Sequence, residues 1–209
     1  MLQELQITEK LPIKGLVYVF HGYGANNENL YDVALAFSKI HSSFRFIIPN
    51  GIERFENGGS GYQWFSLSNF TQQALQAKLE NVAPKVSGSI QEKLKKCNLT
   101  ENNLYLIGFS QGGMLAMYSV AAALLKPKQV IAFSSMFVPP KKIDSQLKQT
   151  EILATHGDTD TVLPLQMSKF SYEFLKQYGL LNFNLMIERN IGHSISQASL
   201  NNAISFLKL

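Results

Sequence analysis

Residues 104–125 read LYLIGFSQGGMLAMYSVAAALL, an apolar run broken once, by a polar stretch in which Gly108 and Gly112 flank Ser110. LYLIGF has the near-continuous apolar character of a strand buried on both faces, and the residues beyond it take up helical periodicity. The stretch therefore reads as strand, sharp turn and helix, with a hydroxyl presented at the turn.

The same alternation runs through the chain. Further strands are expected at GLVYVF (15–20), FRFIIP (44–49), QVIAFS (129–134), EILATH (151–156) and FNLMIE (183–188). Helical patterns fit 27–41, 72–96, 111–126, 165–178 and 195–207, and Pro84 is expected to bend or split the second of them. Strands and helices alternating at this spacing specify the α/β class: a compact, mostly parallel sheet with right-handed crossovers and helices on both faces. Ligands of such sheets bind beyond the carboxyl ends of the strands, so the polar segments following each strand should meet at one edge. Residues 50–70, GIERFENGGSGYQWFSLSNF, read as a long irregular functional loop.

The 209 residues suit one domain, 1–209, and 45% apolar with 16% charged residues is an ordinary globular balance. No apolar run is long enough for a membrane span, and MLQELQITEKLPIKG lacks the basic start and apolar core of a signal peptide. A lone cysteine, Cys97, has no partner for an internal disulfide, which fits a reducing compartment. A cytoplasmic protein is expected. The net charge of +4 is scattered rather than clustered, so no nucleic-acid role is expected.

Gly108-Phe109-Ser110-Gln111-Gly112 is G-x-S-x-G between a strand and a helix. There the glycines relieve a strained turn, and the serine sits at a helix N-terminus that favours developing negative charge. The bare pattern arises by chance in roughly one chain of this length in ten. Its partners must carry the reading. A serine needs a base to take its proton and a third group to orient that base. Among four histidines, His41 reads as a surface residue, His156 as structural, and His21 ends a strand. His193, in ERNIGHSIS after the last strand, is the best base. The acid comes from THGDTDTVLP, which offers Asp158 and Asp160, and a loop aspartate is by default a turn former. The order serine, acid, histidine is that of the α/β-hydrolase arrangement. Two oxyanion donors complete the set: the N–H of Gln111, after the serine, and that of Tyr23 in His21-Gly22-Tyr23-Gly24, after the first strong strand. That Gly-rich turn lacks the third glycine of a dinucleotide loop, and nothing in the mechanism calls for a metal or cofactor.

VFHGYGAN, PNG, QWFS, IGFSQGG, HGDTDTVLP and GHSIS together resemble the phospholipase/carboxylesterase family of α/β-hydrolases, which includes acyl-protein thioesterases and small bacterial carboxylesterases. The resemblance covers nearly the whole chain. It implies the α/β-hydrolase fold and a Ser110, His193, Asp160 triad, because the acid of the family's HGxxDxxVP pattern is the fifth position. It also implies carboxylic esters of short to medium acyl chains as substrates. Where the family commonly has HGLGD, this chain has Tyr23 and then Ala25-Asn26, which would reshape the acyl pocket without removing a backbone donor. The segment before Trp64 and Phe65 is closer to the small bacterial esterases. Those two aromatics read either as pocket walls or as ordinary packing of a long loop. The expected partner is a small-molecule acyl ester or lipid-like substrate, with at most peripheral membrane contact, and the family's habit of dimerising leaves a homodimer open. A lysophospholipase or acyl-protein thioesterase would use the same triad. A binding protein with a dead hydrolase site is the non-enzyme alternative, which intact Ser, Asp and His in motif context argue against.

Overall fold

A computed structural model describes residues 3–8 and 10–208; Met1, Leu2, Glu9 and Leu209 lie outside the described residues, and with them parts of the N-terminal stretch and of the 1–209 domain read above. The main sheet contains β1 (Glu4–Thr8), β2 (Gly15–Phe20), β3 (Phe44–Pro49), β6 (Leu104–Phe109), β7 (Gln129–Phe133), β8 (Glu151–Gly157) and β9 (Phe183–Glu188). A small hairpin joins β4 (Glu53–Arg54) to β5 (Tyr62–Gln63). The sheet order is β1-β3-β2-β6-β7-β8-β9, and every pairing is parallel except that of β1 with β3. Among the described residues five α-helices accompany it: α1 (Tyr31–Ile40), α2 (Gln72–Lys96), α3 (Gln111–Ala121), α4 (Leu165–Gln177) and α5 (Gln197–Phe206). This is the mostly parallel α/β sheet expected from the sequence.

Alternation along the strands divides the interior into two layers. Leu16, Tyr18 and Phe20 of β2 face one side, with Leu106, Leu75 and Leu79 of α2, and Leu115 of α3. Val17 and Val19 face the other, with Phe37 of α1 and Ala203 of α5. Strands covered on both faces must be apolar at every position, which is why β2 and β6 are so nearly unbroken.

Several boundaries differ from expectation. The patterned segment 27–41 begins as a 3-10 turn, Asn27–Leu30, capped by Asn26, and becomes α-helical only at Tyr31. The third helix stops at Ala121 because Ala123 takes a left-handed φ of 56° and the chain turns back, the N–H groups of Leu124 and Leu125 both reaching Ser119 O. Helix α2 runs unsplit through Pro84, whose ring faces solvent while Leu79, Val82, Ala83, Val86 and Ile90 anchor the other side. The carbonyl that loses its helical donor lies on an exposed turn, where water can serve it. The strand β1 has no apolar run, since only Ile7 is buried, and it forms because the β3 edge offers an unpaired ladder. Likewise, the loop 50–70 is not wholly irregular: it holds the β4–β5 hairpin.

Candidate active site

The turn after β6 brings strand and helix backbones into contact. A Cβ added at Gly108 would lie 2.4 Å from the Gly112 carbonyl carbon, and one at Gly112 would lie 2.2 Å from the Phe20 carbonyl oxygen. Only glycine fits there. Between them Ser110 adopts φ 52°, ψ −115°, a conformation an L-residue keeps only when its surroundings impose it. Those surroundings are hydrogen bonds: Ser110 N–H donates to Phe133 O at 2.9 Å, and Ser135 Oγ donates to Ser110 O at 2.8 Å. Among the described residues the Ser110 hydroxyl itself makes no hydrogen bond.

The turn after β2 sits directly beside it, a Cβ at Gly22 falling 3.5 Å from the Ser110 Cβ. His21 holds the turn. Its Nδ1 donates to Gly22 O at 2.7 Å, and its Nε2 accepts from Gly51 N–H at 2.8 Å, so the buried ring is a neutral Nδ1–H tautomer. Burial lowers its pKa from the ordinary 6.5. The hairpin supports the same turn from outside: Gly24 N–H donates to Tyr62 O at 2.9 Å and Tyr62 N–H to Ala25 O at 2.7 Å. Phe55 packs edge-on against the Tyr23 ring at 4.9 Å, and the Tyr23 hydroxyl donates to the Glu56 carboxylate. Desolvation and that carboxylate push the phenol up to about 12. Glu56 also accepts from Leu67 N–H at 3.0 Å. Among the described residues neither the Tyr23 N–H nor the Gln111 N–H is taken by another group.

Gln111 contributes more than its backbone. Its fully buried carboxamide accepts from Trp64 N–H at 2.9 Å and donates to Phe65 O at 2.6 Å, stitching the turn after β6 to the segment after β5. Trp64 and Phe65 are themselves buried in the core, and the Trp64 indole donates to His21 O at 2.9 Å. Neither lines the two cavities described below, so the packing role is the one their burial fits. The sequence signals for Gln111 and His21 were polar residues in apolar surroundings, and their partners lie 43 or more positions away for Trp64 and 30 away for Gly51.

Beyond β8 and β9, two loops meet. His193 Nδ1 donates to Asp160 Oδ2 at 2.7 Å, while Asp160 Oδ1 accepts from Val162 and Leu163 N–H at 2.9 and 2.8 Å. The Asp160 side chain is wholly buried and that of His193 is 16% exposed. The His193 ring lies against Phe109, the residue before Ser110, at 4.9 Å between centroids. Asp158, by contrast, is exposed and accepts from Asn190 N–H at 2.7 Å, serving the turn. His156 is bound into the structure: Nε2 donates to Leu163 O at 2.7 Å and lies 3.2 Å from Asp160 Oδ2, and Nδ1 meets Ser168 Oγ at 2.6 Å. It pins the loop that carries Asp160. His41 is half-buried, its Nε2 at 3.3 Å from Ile204 O.

The arrangement can do definite chemistry. An imidazole whose Nδ1–H is fixed on a buried carboxylate keeps its Nε2 lone pair free to accept a proton. Among the described residues no group of three His, Cys, Asp or Glu is placed to hold a metal ion. Two cavities open near the turn. One of about 280 Å³ has an apolar wall of Phe70, Met136, Phe137, Val138, Met167 and Phe174 and begins one residue beyond Ser135. The other, of about 390 Å³, lies by Gly22, Phe109 and Ile195.

The family model for Phospholipase/Carboxylesterase matches residues 4–209. Esterase YpfH of Escherichia coli K12 is 27% identical over 197 residues, covering 94% of this chain and 83% of the relative. Acyl-protein thioesterase 1 of Kluyveromyces lactis is 26% identical, covering 94% and 92%. Among solved structures, esterase PE8 superposes with a TM-score of 0.87 at 27% identity, covering 98% of this chain and 97% of that one.

Proposed function

Because the chain belongs to the phospholipase/carboxylesterase family and is thereby a hydrolase, we propose that it cleaves carboxylic esters through an acyl-enzyme formed on Ser110. His193 takes the serine proton as Oγ attacks the carbonyl, and the oxyanion is held by the N–H groups of Tyr23 and Gln111. Asp160 keeps the imidazole in its working tautomer and stabilises the imidazolium. His193 then gives the proton to the departing alcohol. A water repeats the sequence on the acyl-enzyme and returns Ser110. The observation that carries this reading is the 2.7 Å bond from His193 Nδ1 to buried Asp160, with the same ring lying against Phe109 beside the strained serine.

Every group this mechanism uses is a protein group, so we read it as independent of metal and cofactor, and we read residues 1–209 as one catalytic domain. Among the described residues no helix is long and apolar enough to cross a membrane. The lone Cys97 supports a cytoplasmic reading. The decisive test is Ser110→Ala assayed on a p-nitrophenyl ester. Turnover is expected to vanish while circular dichroism stays native, and wild-type-like turnover would sink the proposal.

A second reading, long-chain lipid or acyl-protein thioester hydrolysis, is favoured by the apolar cavity of Phe70, Met136, Phe137 and Phe174, which suits an acyl chain. A p-nitrophenyl series from acetyl to palmitoyl separates the two. A maximum at short to medium chains supports the esterase, and one at palmitoyl the alternative.

A further inference from the structure

We propose that the cavity of about 390 Å³ between the turn after β2, helix α1 and the His193 loop receives the alcohol half of the substrate, and that it selects neutral, apolar alcohols. This rests on the catalytic reading above.

The location follows from proton bookkeeping. Collapse of the tetrahedral intermediate breaks the bond from carbonyl carbon to alcohol oxygen. The electron pair leaves with that oxygen, and the proton comes from His193, so the alcohol must lie on the His193 side of Ser110. Phe109 lies against the His193 ring and also walls this cavity. Ile195, two residues after His193, lines it too. The opposite wall includes Gly22, where a Cβ would lie 3.0 Å from the Phe109 ring and 3.5 Å from the Ser110 Cβ, so this wall adjoins the serine. That leaves the acyl half the other cavity, whose lining includes Met136, the residue after the Ser135 whose hydroxyl is bonded to the Ser110 carbonyl.

The chemistry follows from the lining. Leu30 and Val33 from the α1 side join Phe109 and Ile195, and no lining residue carries a charged side chain. Both polar side chains there are engaged: His21 is a neutral ring bonded to Gly51 and Gly22, and Asn29 Oδ1 accepts from Asn26 N–H. The charged residues flanking Leu30 and Val33 in the chain, Glu28 and Asp32, are exposed and acidic. An anionic leaving group such as a glycerophosphate would lose hydration and find no cation among the lining residues. A neutral alkyl group would exchange water for hydrocarbon.

The test keeps the acyl group constant and varies the alcohol. Methyl, butyl and cyclohexylmethyl acetates, together with the acetyl ester of butanediol monophosphate, all form one acetyl-enzyme, so kcat/KM reports the alcohol site. From methyl to cyclohexylmethyl it should rise about tenfold or more, and the phosphate ester should fall about a hundredfold below butyl acetate. Ile195→Trp, which fills the cavity, should erase the gain for the larger alcohols, so that kcat/KM no longer rises from methyl to cyclohexylmethyl acetate. Val33→Lys should raise kcat/KM for the phosphate ester about tenfold while lowering it for cyclohexylmethyl acetate. A flat alcohol series, or wild-type alcohol preference in both variants, overturns the proposal. Should mass spectrometry find no acyl group on Ser110 with any of these esters, the catalytic reading itself fails, and that result is distinct from a flat series.

Discussion

Asp160 and Asp158 stand two residues apart and meet different physics. Asp160 is buried and bonded to His193 and to two backbone N–H groups, while Asp158 is exposed and serves a turn. Asp160→Asn presents an amide where the imidazole needs an acceptor, so kcat is expected to fall by about 10⁴, against less than about tenfold for Asp158→Asn. Steady-state kinetics on one ester decides between them, and the reverse ranking would reassign the acid. Gln111 makes a different demand. Gln111→Ala leaves the Trp64 N–H and Phe65 carbonyl without their buried partner, at a cost of about 1–3 kcal/mol for each group left unpaired. Urea unfolding should show that loss, and unchanged stability would mean that water replaces the carboxamide.

Elements carry their own constraints. Helix α3 can approach β2 only because Gly112 has no side chain, since a Cβ there would sit 2.2 Å from a backbone oxygen that cannot move aside alone. Gly112→Ala should therefore destabilise the fold by about 3 kcal/mol or more, and a near-neutral effect on the urea midpoint would contradict the packing. Gly88, in the middle of α2, has nothing within 4 Å of the site a Cβ would take. Gly88→Ala should stabilise by about 1 kcal/mol through helix propensity. The pair separates glycine required by close approach from glycine merely tolerated.

At the scale of the whole molecule, acid should loosen the fold through His21. Its folded-state pKa is depressed by burial, so between that value and 6.5 the unfolded chain binds the proton and the folded chain does not. Stability is thus full above about pH 6.5 and declines as pH falls below it. Further down, Glu151, held low by Lys208, loses its contribution as pH falls through its folded value. Urea midpoints from pH 7.5 to 5 should show the first decline, and a flat profile would mean that His21 titrates normally in the fold. The consequence reaches the candidate site because the same ring ties the turn after β2 to Gly51.

The central strands and most of the helices were legible in the chain, because a strand covered on both faces must be apolar at every position and a helix against a sheet must show its period. The sharp turn was legible for a related reason: Gly108 and Gly112 flank the one residue whose φ of 52° needs them. The edge strand β1 and the hairpin were not, since half-exposed pairing leaves little apolar signature and depends on a neighbour's free ladder. Pattern also could not weigh Asp158 against Asp160, which share one loop and one chemistry; the family resemblance pointed to Asp160, and only the fold set His193 against it. Nor could it find the bonds from Gln111 to Trp64 and Phe65 or from His21 to Gly51, whose partners are remote in the chain. Local physics, written in neighbouring residues, determined the elements and the turn. Which side chains meet across the sheet edge is set by long-range packing, and only the tertiary structure decided it.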